Sequence, residues 1–337
     1  MSPTPLPAES LGFVFADEAL ESRVRVGLET VEQALRDATQ SEAPFVTAAA
    51  QHVMVAGGKR FRPLLVLLAA EFGPAPDASE VVKAAVVVEL THVATLHHDD
   101  VMDEAALRRG SSTANARWDN SVAILTGDFL FARASDILAD LGPEAVRLQA
   151  RTFERLVTGQ IRETMGPGEG ADPVDHYLAV LADKTASLIA TSARFGAMLS
   201  GADERTVDIL ARFGERFGMA FQLSDDLLDV LSETSDSGKT PGTDLREGVP
   251  TLPVLLLRRD ARPEDARLLE LLDAGLSDDR DHAEALGLLR AHPVVGSAQA
   301  EVLRWADAAR EVLAPLPEVP AKAALAALCE QVVGRTA

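Results

Sequence analysis

The stretch Ala78–Glu104, ASEVVKAAVVVELTHVATLHHDDVMDE, decides how the chain is read. It holds no Gly or Pro and is apolar over most of its length, so it predicts a helix over 78–104 that is apolar on several sides, as helices inside a bundle are. It ends in Asp99-Asp100-Val101-Met102-Asp103. A helix turns ~100° per residue, so the first and fifth positions lie ~40° apart and one turn along, and carboxylates project from one face. His92 lies ~20° from Asp99 on that stripe, with Thr95 and Val88 close to it. A polar strip on an apolar helix is the expected form of a cavity wall.

A second cluster, Asp225-Asp226-Leu227-Leu228-Asp229, repeats the D-D-x-x-D pattern and also ends an apolar helical run. With 52 acidic residues in 337, one acidic triad at i, i+1, i+4 is expected by chance. Asp17, Glu18 and Glu21 supply it in the first amphipathic helix, where they read as a solvated face. Two all-aspartate triads framed by apolar residues are a different matter. Hard oxygen ligands of this kind suit Mg²⁺, which takes one or two carboxylates and leaves its other positions to water and phosphate.

Working outward, helical periodicity predicts helices near 16–39, 44–57, 62–73, 119–140, 143–166, 173–201 and 203–233, then near 250–260, 263–274, 280–291, 296–313 and 318–335. Turn chemistry falls between them at Gly57-Gly58, Gly73-Pro74, Leu141-Gly142-Pro143, Gly166-Pro167-Gly168, Gly201 and Gly242. No strand pattern of useful length and no linker occur. The expectation is a loose lead-in over 1–12 and a single all-α domain over 13–337, a bundle of long helices around a deep central cavity.

Composition agrees. Apolar residues make up 47% and aromatics only 4%, and the dominant Ala, Leu, Val, Glu and Arg favour helices. A net charge of −20 argues against a nucleic-acid partner, because phosphate backbones select basic faces. The lone Cys329 excludes an intrachain disulfide and a thiolate metal site. The start of the chain is no signal peptide, and no apolar run reaches the ~18 residues of a membrane helix. A cytoplasmic protein is expected.

Against that acidic background the cations form islands: Gly58–Pro63 (GKRFRP), Arg108-Arg109-Gly110, Lys184-Thr185 and Gly238-Lys239. Guanidinium forks and lysine point charges are phosphate-binding chemistry. Two Mg²⁺-type clusters with such islands suggest a diphosphate substrate.

Together these motifs resemble the trans-isoprenyl diphosphate synthases (the polyprenyl synthetase family), and most of all those making medium and long all-trans chains. The matching segments are GKRFRP, Glu89–Asp103 (ELTHVATLHHDDVMD), Arg108-Arg109-Gly110, Gly127-Asp128, Gly159-Gln160, Lys184-Thr185, Phe221–Asp229 (FQLSDDLLD), Gly238-Lys239 and Asp244-Leu245, in order over residues 45–255. The C-terminal third carries no signature. One departure is visible: Val249 and Pro250 precede Thr251-Leu252-Pro253 where many members have a lysine.

The resemblance implies an all-α fold and an (E)-prenyltransferase that condenses an allylic diphosphate with successive isopentenyl diphosphates. It implies three Mg²⁺ ions per site, held by Asp99, Asp100 and Asp103 on one side and Asp225, Asp226 and Asp229 on the other. Arg108, Lys184, Thr185, Gln222 and Lys239 match positions that contact the allylic diphosphate. Lys59, Arg62, His92 and Arg109 match the isopentenyl diphosphate site. A homodimer is implied too. In such a reaction the carboxylate-held metal and the cations neutralise the departing diphosphate, the allylic cation alkylates the second substrate, and the proton leaves to the released diphosphate.

Product length is a packing question. In the family the residues upstream of the first aspartates line the cavity into which the chain grows. Here they are Val88, Thr91, Ala94 and Thr95, without an aromatic floor. The expected product is about C35–C50, a quinone side-chain precursor, by family analogy. The competing readings are a farnesyl or geranylgeranyl diphosphate synthase, a class I terpene cyclase and a non-catalytic synthase subunit. The steps Asp225, Asp229 and Glu233 lack a cyclase's middle hydroxyl, and GKRFRP serves a second diphosphate.

Overall fold

The first helix shows how local chemistry sets the elements. A computed structural model describes residues 15–232 and 241–336. In it α1 runs Glu18–Ala38 and buries Leu20, Val24, Leu28, Val31, Leu35 and Ala38, spaced by three and four along one stripe. Asp17 caps it, accepting the Leu20 N–H at 2.7 Å; such a cap contributes about 1 kcal/mol. Part of the chance acidic triad therefore serves as a helix start rather than as a plain solvated face.

The remaining helices are α2 (Pro44–Val55), α3 (Phe61–Ala70), α4 (Ser79–Met102), α5 (Ala114–Arg117), α6 (Asn120–Leu141), α7 (Pro143–Met165), α8 (Pro173–Leu181), α9 (Ser187–Leu199), α10 (Glu204–Leu231), α11 (Thr243–Glu247), α12 (Leu252–Arg259), α13 (Ala266–Ala274), α14 (Asp279–Ala291), α15 (Val294–Val312) and α16 (Pro320–Gly334). The described residues hold one small β-hairpin, β1 (Leu107–Arg108) against antiparallel β2 (Ser111–Ser112), and are otherwise helices and turns. The fold is all-α. None of the described helices is long and apolar enough to cross a membrane.

Two compact units form. The first comprises the described residues up to Phe153 with Leu188–Ala211 and Pro315–Leu325; the second comprises Glu154–Ser187, Arg212–Ala314 and Ala326 onward. Within the first, α4 packs on α1, α3 and α6. Its Val81, the run from Ala84 to Thr91, Val93, Ala94 and Leu96 are all buried, which is why its sequence is apolar on several sides. Gly196 on α9 lies so close to α3 that a Cβ would sit 2.0 Å from the Val66 carbonyl oxygen. Within the second unit α12 packs on α8 and α15, and Phe213 and Phe217 of α10 stack at 5.6 Å with no exposed surface. Burying each such side chain contributes about 1.5–3 kcal/mol.

One long helix departs from expectation. The span read as a helix over 173–201 is interrupted by a π-helical turn, Ala182–Ala186, that contains Lys184 and Thr185.

Candidate active site

In the first unit α4 ends at its aspartates. Asp103 is exposed, Asp99 half-buried and Asp100 fully buried. Arg108 Nε donates to Asp100 Oδ1 at 2.5 Å, while Oδ2 is buried without a hydrogen-bond partner. Burial raises the Asp100 pKa, and Arg108 opposes that shift. The segment after the cluster is tied back to it. The Asn115 side-chain amide donates to the carbonyls of Asp100 and Ala105, both at 3.1 Å, and Thr113 Oγ1 donates to Ala105 O at 2.6 Å.

The hairpin turns at Arg109 (φ 53) and Gly110 (φ 75), a positive-φ pair of the type two-residue hairpins require. Arg109 then reaches Gly57, its guanidinium donating to the Gly57 carbonyl. Gly58 has φ 154, a conformation that L side chains rarely adopt, and a Cβ there would also crowd the guanidinium tips of Arg60 and Arg109. The GKRFRP turn and the Arg-Arg-Gly hairpin are thus one local assembly.

The three cations of that turn separate. Arg60 is 5% exposed and fully engaged, with Glu32 at 2.8 Å, Glu89 at 3.2 Å and the Met54 carbonyl at 3.1 Å. Burial works against its charge, but Glu32 and Glu89 outweigh it and the pKa is raised. Lys59 is exposed, and Arg62 is half-buried with an Nε that has no hydrogen-bond partner. Burial pushes Arg62 down to about 10. His92 sits half-buried on α4; burial, followed by Arg62, Arg109, Arg108 and Arg60, holds its pKa well below the usual range. The ring lies in a field of cations, an environment that attracts an anion. Glu89, isolated within an apolar run, was the available sequence signal that Arg60 would be a buried structural partner; Glu32 gave none.

His98 Nε2 lies 3.0 Å from the Ile124 carbonyl and 3.6 Å from Asp128 Oδ1. A Cβ on Gly127 would meet His98 Nε2 at 2.3 Å, which gives the Gly127-Asp128 pair its physical reason. Val88, Thr91 and Ala94 have no exposed surface, and Thr95 is half-buried. Thr91 Oγ1 accepts from Gln149 Nε2 at 2.8 Å, and Thr95 Oγ1 donates to His92 O at 2.8 Å.

In the second unit a hydrogen-bond chain joins three motifs. Thr185 Oγ1 donates to Gln222 Oε1 at 3.1 Å, Gln222 Nε2 to Asp226 Oδ1 at 2.7 Å, and Tyr177 OH to Asp226 Oδ2. Burial, aided by Asp225 and Asp229, raises the Asp226 pKa to about 6 in spite of those donors. Asp225 Oδ1 takes Arg335 Nη2 at 2.7 Å. Asp229 accepts the backbone N–H of Thr243 at 3.2 Å and of Asp244 at 3.0 Å, anchoring the start of α11. Lys184 Nζ donates to Glu163. Lys239, expected at the allylic diphosphate, lies outside the described residues.

These side chains fit a divalent cation of the Mg²⁺ kind. Within each cluster the donors are hard oxygens, and in the first Asp100 Oδ2 is a buried acceptor without a hydrogen-bond partner. Among the described residues no group of three or more His, Cys, Asp or Glu is arranged to hold a metal ion by itself.

Residues 43–289 match the polyprenyl synthetase family model. A nonaprenyl diphosphate synthase of Mycobacterium tuberculosis is 48% identical over 324 residues, 96% of this chain and 97% of the relative. A solved geranylgeranyl pyrophosphate synthase from Corynebacterium glutamicum, complexed with calcium and isoprenyl diphosphate, superposes with a TM-score of 0.87 at 46% identity, covering 96% of this chain and 99% of that one. A decaprenyl diphosphate synthase from Rhodobacter capsulatus does so with a TM-score of 0.86 at 33% identity, over 95% and 99%. The chain is a prenyltransferase with the all-α isoprenoid synthase fold. The chain belongs to the polyprenyl synthetase family.

Proposed function

We propose that the chain is an all-trans polyprenyl diphosphate synthase that extends an allylic diphosphate with successive isopentenyl diphosphates to about C35–C50. The observation that carries this reading is the assembly of the Arg108-Arg109-Gly110 hairpin on the GKRFRP turn, with Arg109 on the Gly57 carbonyl, because a basic site for a second diphosphate is what a chain-extending synthase needs and a cyclase lacks. Lys59, Arg62, His92 and Arg109 bind isopentenyl diphosphate. Arg108, Lys184, Thr185, Gln222 and Lys239 bind the allylic diphosphate.

Asp99, Asp103 and Asp225 would hold Mg²⁺, three ions in the family pattern, which when bound supplies the charge neutralisation that lets diphosphate leave. Asp100, with its unpartnered Oδ2, and Asp226 and Asp229 complete the two metal-holding clusters, as the family pattern has them. Lysine and arginine side chains stabilise the charge that develops on the leaving oxygen. The whole of 13–337 is read as one synthase domain. We also read the enzyme as a homodimer, as the family resemblance implies: within the first unit Ile124 and Leu125 on α6 and Val146 on α7 are exposed apolar side chains of the kind a partner covers.

The likeness to the Corynebacterium enzyme favours a second reading, a C20 product. Alanine at Asp99 or at Asp225 is expected to lower kcat by at least about a hundredfold if residues from both clusters serve one reaction. Retention of full activity by either variant contradicts the assignment.

A further inference from the structure

The π-helical turn Ala182–Ala186 is gripped along one face of α7, while Thr185 bonds Gln222 of α10. Arg155, Gly159, Arg162 and Glu163 lie at i, i+4, i+7 and i+8 of that helix, a single stripe. Each meets the turn. Arg155 Nε donates to Asp183 Oδ1 at 2.9 Å, and its Nη2 donates to the Ala182 carbonyl at 3.0 Å. Arg162 donates to the other Asp183 oxygen. Glu163 takes the Lys184 ammonium. A Cβ on Gly159 would sit 2.7 Å from Lys184 N and 3.0 Å from Asp183 Cβ. Arg155 is itself fixed from α10 by Glu215, at 2.6 Å and 3.2 Å.

A π turn is rarer than an α turn and is kept where something outside the helix stabilises it. It inserts one residue, and without it Lys184 and Thr185 would be rotated by ~100° about the helix axis. Arginine suits the task because its planar fork can bond a carboxylate and a backbone carbonyl at once.

We propose that Arg155 and Gly159 are positioning residues: they hold the π turn in the register that presents Lys184 and Thr185 to the allylic diphosphate. The inference rests on the reading of Lys184 as a diphosphate contact. It also gives the Gly159-Gln160 motif a role, since the turn's backbone occupies the space of a side chain at 159.

The test is steady-state kinetics on Arg155→Met, Arg155→Lys and Gly159→Ala, with Lys184→Ala and the Arg155→Met/Lys184→Ala double variant. Arg155→Met and Gly159→Ala are expected to raise the KM for the allylic diphosphate about tenfold and leave that for isopentenyl diphosphate within about twofold. Arg155→Lys, which keeps the charge but loses the fork, falls between. In the Lys184→Ala background Arg155→Met is expected to add less than about twofold, because the residue it positions is gone. Full additivity, or an equal rise in both KM values, overturns the role of Arg155 and leaves that of Lys184 standing. An unchanged allylic KM in Lys184→Ala alone overturns the underlying reading of Lys184 instead.

Discussion

The hydroxyl of Tyr177 donates to one oxygen of the Asp226 carboxylate, whose other oxygen is taken by Gln222. Tyr177 is the chain's single tyrosine, so its titration can be followed directly. Burial first and Asp226 second hold its pKa well above the usual value. Tyrosinate absorbance in the native protein is therefore expected only well above pH ~10, and Asp226→Asn should bring it down. Tyr177→Phe removes a hydrogen bond to a charged group, worth about 1.5–3 kcal/mol, and should lower kcat/KM by about tenfold. A phenol titrating as in a free peptide would contradict the contact.

His97 is fully buried, and both of its ring nitrogens lack a hydrogen-bond partner. Burial, with His52, His98 and Arg108, lowers its pKa to about 4. The unfolded chain, titrating near ~6.5, then binds more protons between those two values. The contribution is fully present above pH ~6.5 and is lost as pH falls toward 4, by as much as ~3 kcal/mol. Denaturant melts of wild type and His97→Leu across that range should converge toward neutral pH and diverge below it, with the variant less sensitive to acid. Identical slopes would show that His97 titrates normally.

Gly127 leaves room for the His98 ring. Gly127→Ala is expected to cost about 1–3 kcal/mol through overpacking, read as a fall in melting temperature. His98→Ala combined with it should recover part of the loss. Simple additivity in the double variant would mean that the close approach carries no energy.

The helices were legible because burial writes a period into the residues that face it. The stripe of α1 from Leu20 to Ala38 and the apolar surround of α4 both follow from packing seen in the structure. What local pattern cannot carry is a register change. The π turn at Ala182–Ala186 adds one residue inside an apolar run, and its cause, Arg155, sits on another helix. α5 and α11 are too short to show a period. The same limit applied to the basic turn. Lys59, Arg60 and Arg62 read alike as charges, and Glu32, 28 positions away from Arg60, makes one of them structural. The aspartate pattern was visible, but the division of labour within it was not, since Arg335 and the Thr243 amide come from distant segments.

Thr91 and Ala94 are proposed to limit where the growing chain can go. Both have no exposed surface, so a bulky substitute must intrude on its neighbours. Thr91→Phe or Ala94→Phe is expected to shorten the product by at least one isoprene unit while thermal melting shows a folded protein. An unchanged product from an active, folded variant would remove these residues from the wall.

The most direct measurement is product analysis after incubating the purified protein with isopentenyl diphosphate, an allylic diphosphate and Mg²⁺. The expected result is consumption of both substrates to give an all-trans polyprenyl diphosphate of about seven to ten units, and none when the divalent cation is chelated. Conversion of the allylic diphosphate alone, or a product that stops at three or four units, would contradict the account.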